Sequence, residues 1–447
     1  MRKRRALIGG AAGIAVTAAL LFGGAVHGPS GHSLRVAAIA GQAQAANDQG
    51  SLGQLLAGFS TGDTAKFVAG LERRIRLHPR DGQTLTLLGL AYQQRARETG
   101  DPAYYGLSAR ALGRAHRSGG PKALLAQADA SLANTRHRFR DGLALARRAV
   151  RLDRYNASAF GALGDALLNL GRYRPAFAAY DRMAVLAPGI AGFARVANAR
   201  ELTGHPHGAI DALQLALESD STVPEQVAWT QVQLGNVHFN RGELGAAAEA
   251  YREALRRFPG YVHAQAGLAR VEAARGQYSR ATRMLEHVVG VLPLPAYVIQ
   301  LGDVRHAAGD QAGARREYRL VNAIERLFEA NGVRTELQTA LFDLDHGRRV
   351  PAALARARAA YSSAPGVYAE DALAWGLFRV GSCASAREHS IHALRLGTRD
   401  PLLIFHRGMI ERCLGNGAAG DAFLRRALAI NPNFSLLWAP VVRRLLR

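Results

Sequence analysis

Eight glycines recur along this chain at nearly constant intervals, and this period constrains the fold more than any other feature. The intervals are 33, 38, 34, 33, 38, 34 and 34 residues. A period of this length accommodates two helices joined by a tight turn, and glycine adopts the left-handed turn conformation at the lowest cost. The glycines are Gly171, Gly204, Gly242, Gly276, Gly309, Gly347, Gly381 and Gly415.

The best-formed copy of the period runs from Leu234 to Pro259 and reads LGNVHFNRGELGAAAEAYREALRRFP. Gly235 and Ala247 supply the small side chains that two closely packed helices need at their crossing point. Gly242 marks the turn, and Pro259 ends the second helix. One such hairpin cannot bury its apolar face alone, so copies must stack.

This order of residues resembles the tetratricopeptide repeat family over nearly all of the chain after about residue 60. The small residue of the second helix also recurs in phase, although the signature tryptophan of the first helix is mostly replaced. The resemblance implies an all-α, right-handed α-solenoid of about ten helix-turn-helix repeats with terminal caps. The recurring small residues are Ala176, Ala209, Ala247, Ala281, Ala314, Ala352 and Ala386.

The chain divides into four segments by composition. Residues 1–45 contain MRKRR and the uncharged apolar run from Ala6 to Val26, which indicate an export signal or a signal anchor. Cleavage with release, a retained single-span anchor, and neither of these all remain open. Residues 46–60 are expected to form a flexible linker, 61–432 the solenoid, and 433–447 a C-terminal capping helix.

The chain is strongly basic, with 57 Lys and Arg against 35 Asp and Glu and a formal charge of +22. Lys3, Lys66 and Lys122 are the lysines, so arginine dominates, which is typical of a GC-rich genome and favours an actinobacterial-like source. The charge fits solvated helix faces, or else attraction to an anionic envelope polymer or membrane surface. No nucleic-acid motif accompanies it, so a nucleic-acid partner is not expected.

No catalytic, cofactor or metal motif emerges from the sequence. Glu388, His389 and His392 do not have the spacing of HExxH, in which two histidines are four residues apart. We therefore expect no enzyme activity, no cofactor and no metal. Cys383 and Cys413 lie near the turns of consecutive hairpins, so either a disulfide in an oxidising compartment or two separate packed thiols is consistent with the sequence.

The resemblance implies that any ligand lies in a concave groove lined by the first helix of each hairpin. Amides in that groove could pair with a peptide backbone, and aromatic rings could hold apolar side chains or merely pack between hairpins. The Lys of the family's carboxylate-binding type is replaced by Ala194 and Val232. The candidate groove residues are Asp165, Asn169, Asn198, Trp229, Asn236, Phe239, Asn240, His263, Arg270, Asp303, His306, Asp371, Trp375, Phe378, Arg379 and Arg412.

These features favour a non-enzymatic protein-interaction scaffold that is exported and presents its groove to a peptide or partner protein outside the cytoplasmic membrane. Membrane contact is expected only through the N-terminal segment. The alternative is an arginine-rich envelope protein that binds an anionic polymer or a membrane surface.

Overall fold

The computed structural model describes residues 64–219 and 224–447, so the expected export segment and linker lie outside the described residues. In the described part the chain forms 22 α-helices and no strand. The helices are α1 Thr64–Leu77, α2 Gly82–Thr99, α3 Ala103–Arg117, α4 Lys122–Thr135, α5 Phe139–Leu152, α6 Ala157–Asn169, α7 Tyr173–Leu186, α8 Ile190–Leu202, α9 Pro206–Glu218, α10 Pro224–Asn240, α11 Leu244–Arg257, α12 Val262–Ala274, α13 Tyr278–Val291, α14 Pro295–Ala307, α15 Gln311–Ala330, α16 Glu336–Asp345, α17 Val350–Ser363, α18 Val367–Arg379, α19 Cys383–Ala393, α20 Pro401–Cys413, α21 Gly417–Ile430 and α22 Trp438–Leu445.

Helices α2 to α21 pair into ten antiparallel hairpins, each of which packs against the next. Helix α1 is an unpaired helix before the first hairpin, and α22 follows the last. The predicted all-α, right-handed solenoid of about ten repeats is therefore confirmed. Helix α15, with 20 residues, is the longest of the described helices.

The turn between the two helices of each hairpin needs a left-handed residue. All eight phased glycines have positive φ, between +62° for Gly347 and +89° for Gly309. The second hairpin has His137 at this position with φ of +57°, and it makes the same turn hydrogen bonds as Gly171. Histidine tolerates this conformation better than most residues do. The repeat therefore looks weak there in the sequence but is regular in the structure.

The hairpins wind into a superhelix that completes one turn in six hairpins and then touches itself. The turn loops of hairpins 1 to 4 each contact the segment that leads into the hairpin six places later in the chain, and the turn loop of hairpin 5 contacts the start of the C-terminal tail. The Val367 amide, for example, donates to the Tyr173 hydroxyl at 2.7 Å. A methyl group on Gly204 would lie 2.2 Å from the Gly397 carbonyl oxygen. We call this line of contacts between successive superhelical turns the seam.

The C-terminal tail, residues 431–447, folds onto the inner face of the last hairpins instead of only covering the end of the solenoid. The Trp438 ring lies edge-on to Trp375 of α18, 5.5 Å away, and 5.2 Å from Phe405 of α20. Leu436 packs with the cluster that contains Leu301 of α14. The concave face of the C-terminal half is therefore filled by the chain itself.

Cys383 begins α19 and Cys413 ends α20, and the two form a disulfide with Cα atoms 6.1 Å apart. The bond joins the ninth hairpin to the tenth. Among the described helices, none combines the length and the apolar character that a bilayer span requires.

Candidate functional site

The concave face of hairpins 1 to 9 encloses a cavity of about 620 Å³, which we call the inner cavity. The first helices of successive hairpins line it, from α2 to α18. Each helix contributes residues at fixed distances before its turn residue, because positions three or four apart share one helix face. Three rows of side chains, 6, 9 and 13 residues before the turn, therefore wind around the cavity.

These rows are rich in amides and in charged and aromatic groups. The row six residues before the turn comprises Gln94, Ser131, Asp165, Asn198, Asn236 and Arg270. The row nine residues before the turn comprises Ala162, Arg195, Gln233, Gly267, Gln300 and Gln338. The row thirteen residues before the turn comprises Ser158, Ala191, Trp229, His263, Ala296, Arg334 and Tyr368.

An ion pair joins the first two rows. Arg195 of α8 donates from Nε and Nη2 to the two oxygens of Asp165 on α6, at 2.9 and 2.8 Å. Tyr180 donates to the same carboxylate at 3.1 Å. A two-point pair of this kind fixes both side chains and neutralises both charges. This part of the wall is therefore polar and electrically balanced.

Burial favours the neutral form of two titratable groups in the cavity wall. It lowers the pKa of His263 to about 4, so this imidazole is neutral at physiological pH, and its Nδ1 bonds the Tyr297 hydroxyl. Burial also raises the pKa of Glu225, which accepts a 2.9 Å hydrogen bond from the Tyr261 hydroxyl. Trp229 also lines the cavity.

Arg270 of α12 differs from Arg195 because no carboxylate pairs with it. Its guanidinium lies 3.7 Å above the Phe239 ring and makes a long 3.4 Å hydrogen bond to Asn240 Oδ1. Its Nη1 is buried without a hydrogen-bond partner among the described residues. Burial lowers the pKa of the group, and the more distant Asp400 carboxylate opposes this shift. The cavity wall thus holds a cation that no carboxylate of the described residues neutralises at close range.

Seven of the sixteen candidate groove residues lie together on the wall of the inner cavity. An eighth, Asn240, lines a smaller cavity of about 290 Å³ at the seam, together with Glu201 and Asp400. We call this the seam cavity. The seven that line the inner cavity are Asp165, Asn169, Asn198, Trp229, Asn236, His263 and Arg270.

The remaining eight candidates line neither cavity. Trp375 is fully buried: it stacks on His406 with ring centroids 4.2 Å apart, and its Nε1 donates to Asp345 at 3.0 Å. The apolar tail around Trp438 covers the inner face at this point, so the phase that places Asn236 on the cavity wall buries Trp375 beneath the tail. The prediction that Trp375 lines the groove is therefore corrected, because the tail covers this position.

The other seven of these eight have partners within the chain. Asp303 accepts from Tyr318, Asp371 pairs with His406, and Phe239 lies under Arg270. The rest pack or bond locally: His306 with Gln311, Phe378 with Trp375, Arg379 with the Leu344 carbonyl, and Arg412 with Asp421.

Several wall residues are not among the sequence candidates, including Arg195, Gln233, Gln300, Tyr297 and Tyr368. The sequence contains a signal that identifies most of them. Once the turn glycines are in phase, the position nine residues before each turn falls on the same helix face as the position six before. Tyr297 lies outside the three rows, so only the packing shows that it reaches the cavity. Among the described residues, no group of three or more His, Cys, Asp or Glu side chains could hold a metal ion.

Solved structures similar to this chain include PilF of Pseudomonas aeruginosa, at 14% identity over 47% of this chain and 96% of that one, with a TM-score of 0.37. A tetratricopeptide repeat protein of Parabacteroides merdae is 16% identical over 57% and 97%, with a TM-score of 0.34. The human IFIT1 dimer with m7Gppp-AAAA is 13% identical over 84% and 89%, with a TM-score of 0.44. At these scores the likenesses carry no argument about function.

No curated protein matches the sequence. Residues 238–302 match the family model for the tetratricopeptide repeat. These residues contain the turns at Gly242 and Gly276, and the hairpin they define is repeated ten times in the described chain. The family match thus covers this stretch, and the other hairpins of the described chain share its helix-turn-helix form.

Proposed function

We propose that this protein is a non-enzymatic binding protein that holds an extended peptide segment of a partner in its inner cavity. The observation that carries the proposal is the set of amide rows. Asn198, Asn236, Gln233, Gln300 and Gln338 follow one another along the wall. An amide both donates and accepts hydrogen bonds, so such a row can match the alternating N–H and C=O groups of an extended chain.

The size and the aromatic content of the cavity support the same function. A volume of about 620 Å³ lies within the range of ligand-binding cavities. Trp229, Tyr261, Tyr297 and Tyr368 all contribute to the lining. Such rings give apolar side chains of a peptide large contact surfaces, while their polar atoms stay hydrogen-bonded. A narrow segment fits this space better than a folded domain.

The test is capture of peptides from a random library of decapeptides with both termini blocked, using the purified protein. We expect discrete sequences to be retained at high salt, and their affinity to fall about tenfold or more in Trp229→Ala. Val185→Ala on the outer face of α7, where the side chain is 70% exposed, is the control and should bind normally. Failure to retain any peptide, or unchanged binding by Trp229→Ala, would contradict the proposal.

We also propose that the protein works outside the cytoplasmic membrane. The basic and apolar start of the sequence supports this location, and so does the pairing of Cys383 with Cys413, since disulfides persist in oxidising compartments. The test is alkylation of the protein in intact cells followed by fractionation. Blocked cysteines in an extracytoplasmic fraction are expected, and alkylated thiols in the cytoplasm would contradict the proposal.

A second candidate function is binding of an anionic polymer at the outer surface. Arg147, Arg148 and Arg151 are exposed on α5, and none forms an ion pair with the described residues. Attraction between exposed charges is screened beyond about 10 Å at ordinary ionic strength. Polyglutamate binding that disappears in high salt and in the triple Arg→Ala variant on α5 would favour this function. Binding that withstands both changes would argue against it.

A further inference from the structure

Resting on the proposed peptide-binding function, we propose that the peptide carries an acidic side chain, Asp or Glu, whose carboxylate binds between Arg270 and Gln233. Arg270 supplies the positive charge and Gln233 a second hydrogen-bond donor. This assigns one specificity-determining position to the inner cavity.

The surroundings of Arg270 leave its charge without an ion pair. Its described contacts are the Phe239 ring beneath it at 3.7 Å and one long hydrogen bond to Asn240 at 3.4 Å. Neither carries a negative charge. Its Nη1 is buried and has no partner. An enclosed guanidinium costs free energy unless an anion and further acceptors surround it.

Two other wall arginines show what a paired cation looks like here. Arg195 makes a two-point ion pair with Asp165, and Arg334 lies 3.1 Å from Glu336. Arg270 forms no such ion pair with the described residues, and the Asp400 carboxylate acts on it only from beyond ion-pair distance.

Gln233 is the second, independent observation. Its side chain is 91% buried, since only 9% is exposed, and it lines the inner cavity. Its Nε2 has no hydrogen-bond partner among the described residues. Gln233 lies on α10, which packs directly against α12, the helix of Arg270. Both residues line the same cavity, so one bound peptide can supply acceptors to both.

The chemistry of the site selects the kind of anion. One guanidinium without an ion pair, with a neutral amide on the neighbouring helix, matches a single negative charge, as on a carboxylate, better than the double charge of a phosphate. A peptide's C-terminal carboxylate is disfavoured, because the family's lysine position is held here by Ala194 and Val232, which also line the cavity. The side-chain carboxylate remains.

The first test needs no ligand. Arg270→Met keeps a long side chain over Phe239 but removes the unpaired charge, so we expect it to raise the melting temperature of the free protein by roughly 1–3 °C. Arg195→Met is the matched control, and it should lower the melting temperature because it leaves Asp165 without its ion pair. An unchanged or lower melting temperature in Arg270→Met would overturn the inference.

The second test uses the library of terminally blocked decapeptides, comparing the wild type with Arg270→Met and Gln233→Ala. We expect Asp or Glu to be enriched at one position by the wild type, and this enrichment to disappear in Arg270→Met and to fall in Gln233→Ala. Peptides retained without acidic enrichment would overturn this inference while the peptide-binding function stands. If no peptide is retained at all, the proposed function itself fails.

Discussion

The Tyr251 hydroxyl on α11 donates a 2.8 Å hydrogen bond to Asn236 Oδ1 on α10. The same relationship recurs, always 15 residues apart, between Tyr180 and Asp165 at 3.1 Å and between Tyr318 and Asp303 at 2.8 Å. In each hairpin the tyrosine ring packs against a glycine that immediately precedes its acceptor. The repeat therefore uses one tyrosine to fix both the distance between its helices and a polar side chain of the inner row.

This packing predicts that Gly235→Ala destabilises the solenoid. The added methyl group would lie 2.5 Å from the Tyr251 ring, which fills the space between the helices. Overpacking of this kind costs about 1–3 kcal/mol. Gly245→Ala is the control, since it is exposed in the first turn of α11 with no atom within 4 Å, and alanine favours helix. Urea unfolding of both variants measures the difference. Equal stabilities would contradict the packing argument.

The seam predicts that two glycines with the same backbone conformation respond differently to alanine. Gly204 and Gly276 have φ of +77° and +78°, so each substitution strains its turn by about 1–2 kcal/mol. At Gly276 the methyl group meets nothing, whereas at Gly204 it lies 2.2 Å from the Gly397 carbonyl oxygen across the seam. We expect Gly204→Ala to lose more stability and, by small-angle scattering, to be the variant that expands. A larger effect at Gly276 would show that the seam is not tightly closed.

Glu201, at the seam cavity, predicts a pH dependence of stability. Burial raises the pKa of Glu201 to about 7, and the nearby Asp400 carboxylate acts in the same direction, while Asn240 opposes the shift. A carboxyl whose pKa is higher in the folded state stabilises the fold fully below its unfolded pKa, and this contribution is lost as the pH rises through the folded value. Stability should therefore fall by about 1–3 kcal/mol between about pH 4.5 and 7.

The measurement is the urea midpoint across that pH range for the wild type, Glu201→Gln and the exposed control Glu388→Gln. Glu201→Gln should flatten the pH dependence, because the neutral amide cannot ionise, and Glu388→Gln should leave it unchanged. Identical slopes in all three proteins would rule out a role of Glu201.

The disulfide predicts a redox-dependent stability of the last two hairpins. The cysteines are 30 residues apart in sequence, and a loop of this length corresponds to about 3.6 kcal/mol of stabilisation from the lower entropy of the unfolded chain. Dithiothreitol should lower the melting temperature of the wild type to that of Cys383→Ser/Cys413→Ser, which should itself be insensitive to the reagent. A reagent effect that persists in the double variant would contradict this.

Much of the architecture follows from local spacing. The eight phased glycines predict eight of the ten hairpins because each turn requires a left-handed residue. In the second hairpin His137 takes that conformation instead, so the glycine pattern misses this turn. The residues of the candidate site are harder to predict from the sequence. Asn236 and Trp375 occupy the same phase in their repeats, yet one lines the cavity and the other is buried beneath the tail.

The sequence by itself determined the hairpin, its period and which helix face can look inward, since these depend on residues that are neighbours along the chain. The tertiary structure alone decided that six hairpins complete a turn, that the seam encloses a cavity, and that the tail fills the rest of the concave face. The physical reason is that the rotations between successive hairpins accumulate along the chain. A small rotation between successive hairpins, set by side-chain packing at each junction, adds up over the turn until residues about 190 positions apart, such as Tyr173 and Val367, come into contact.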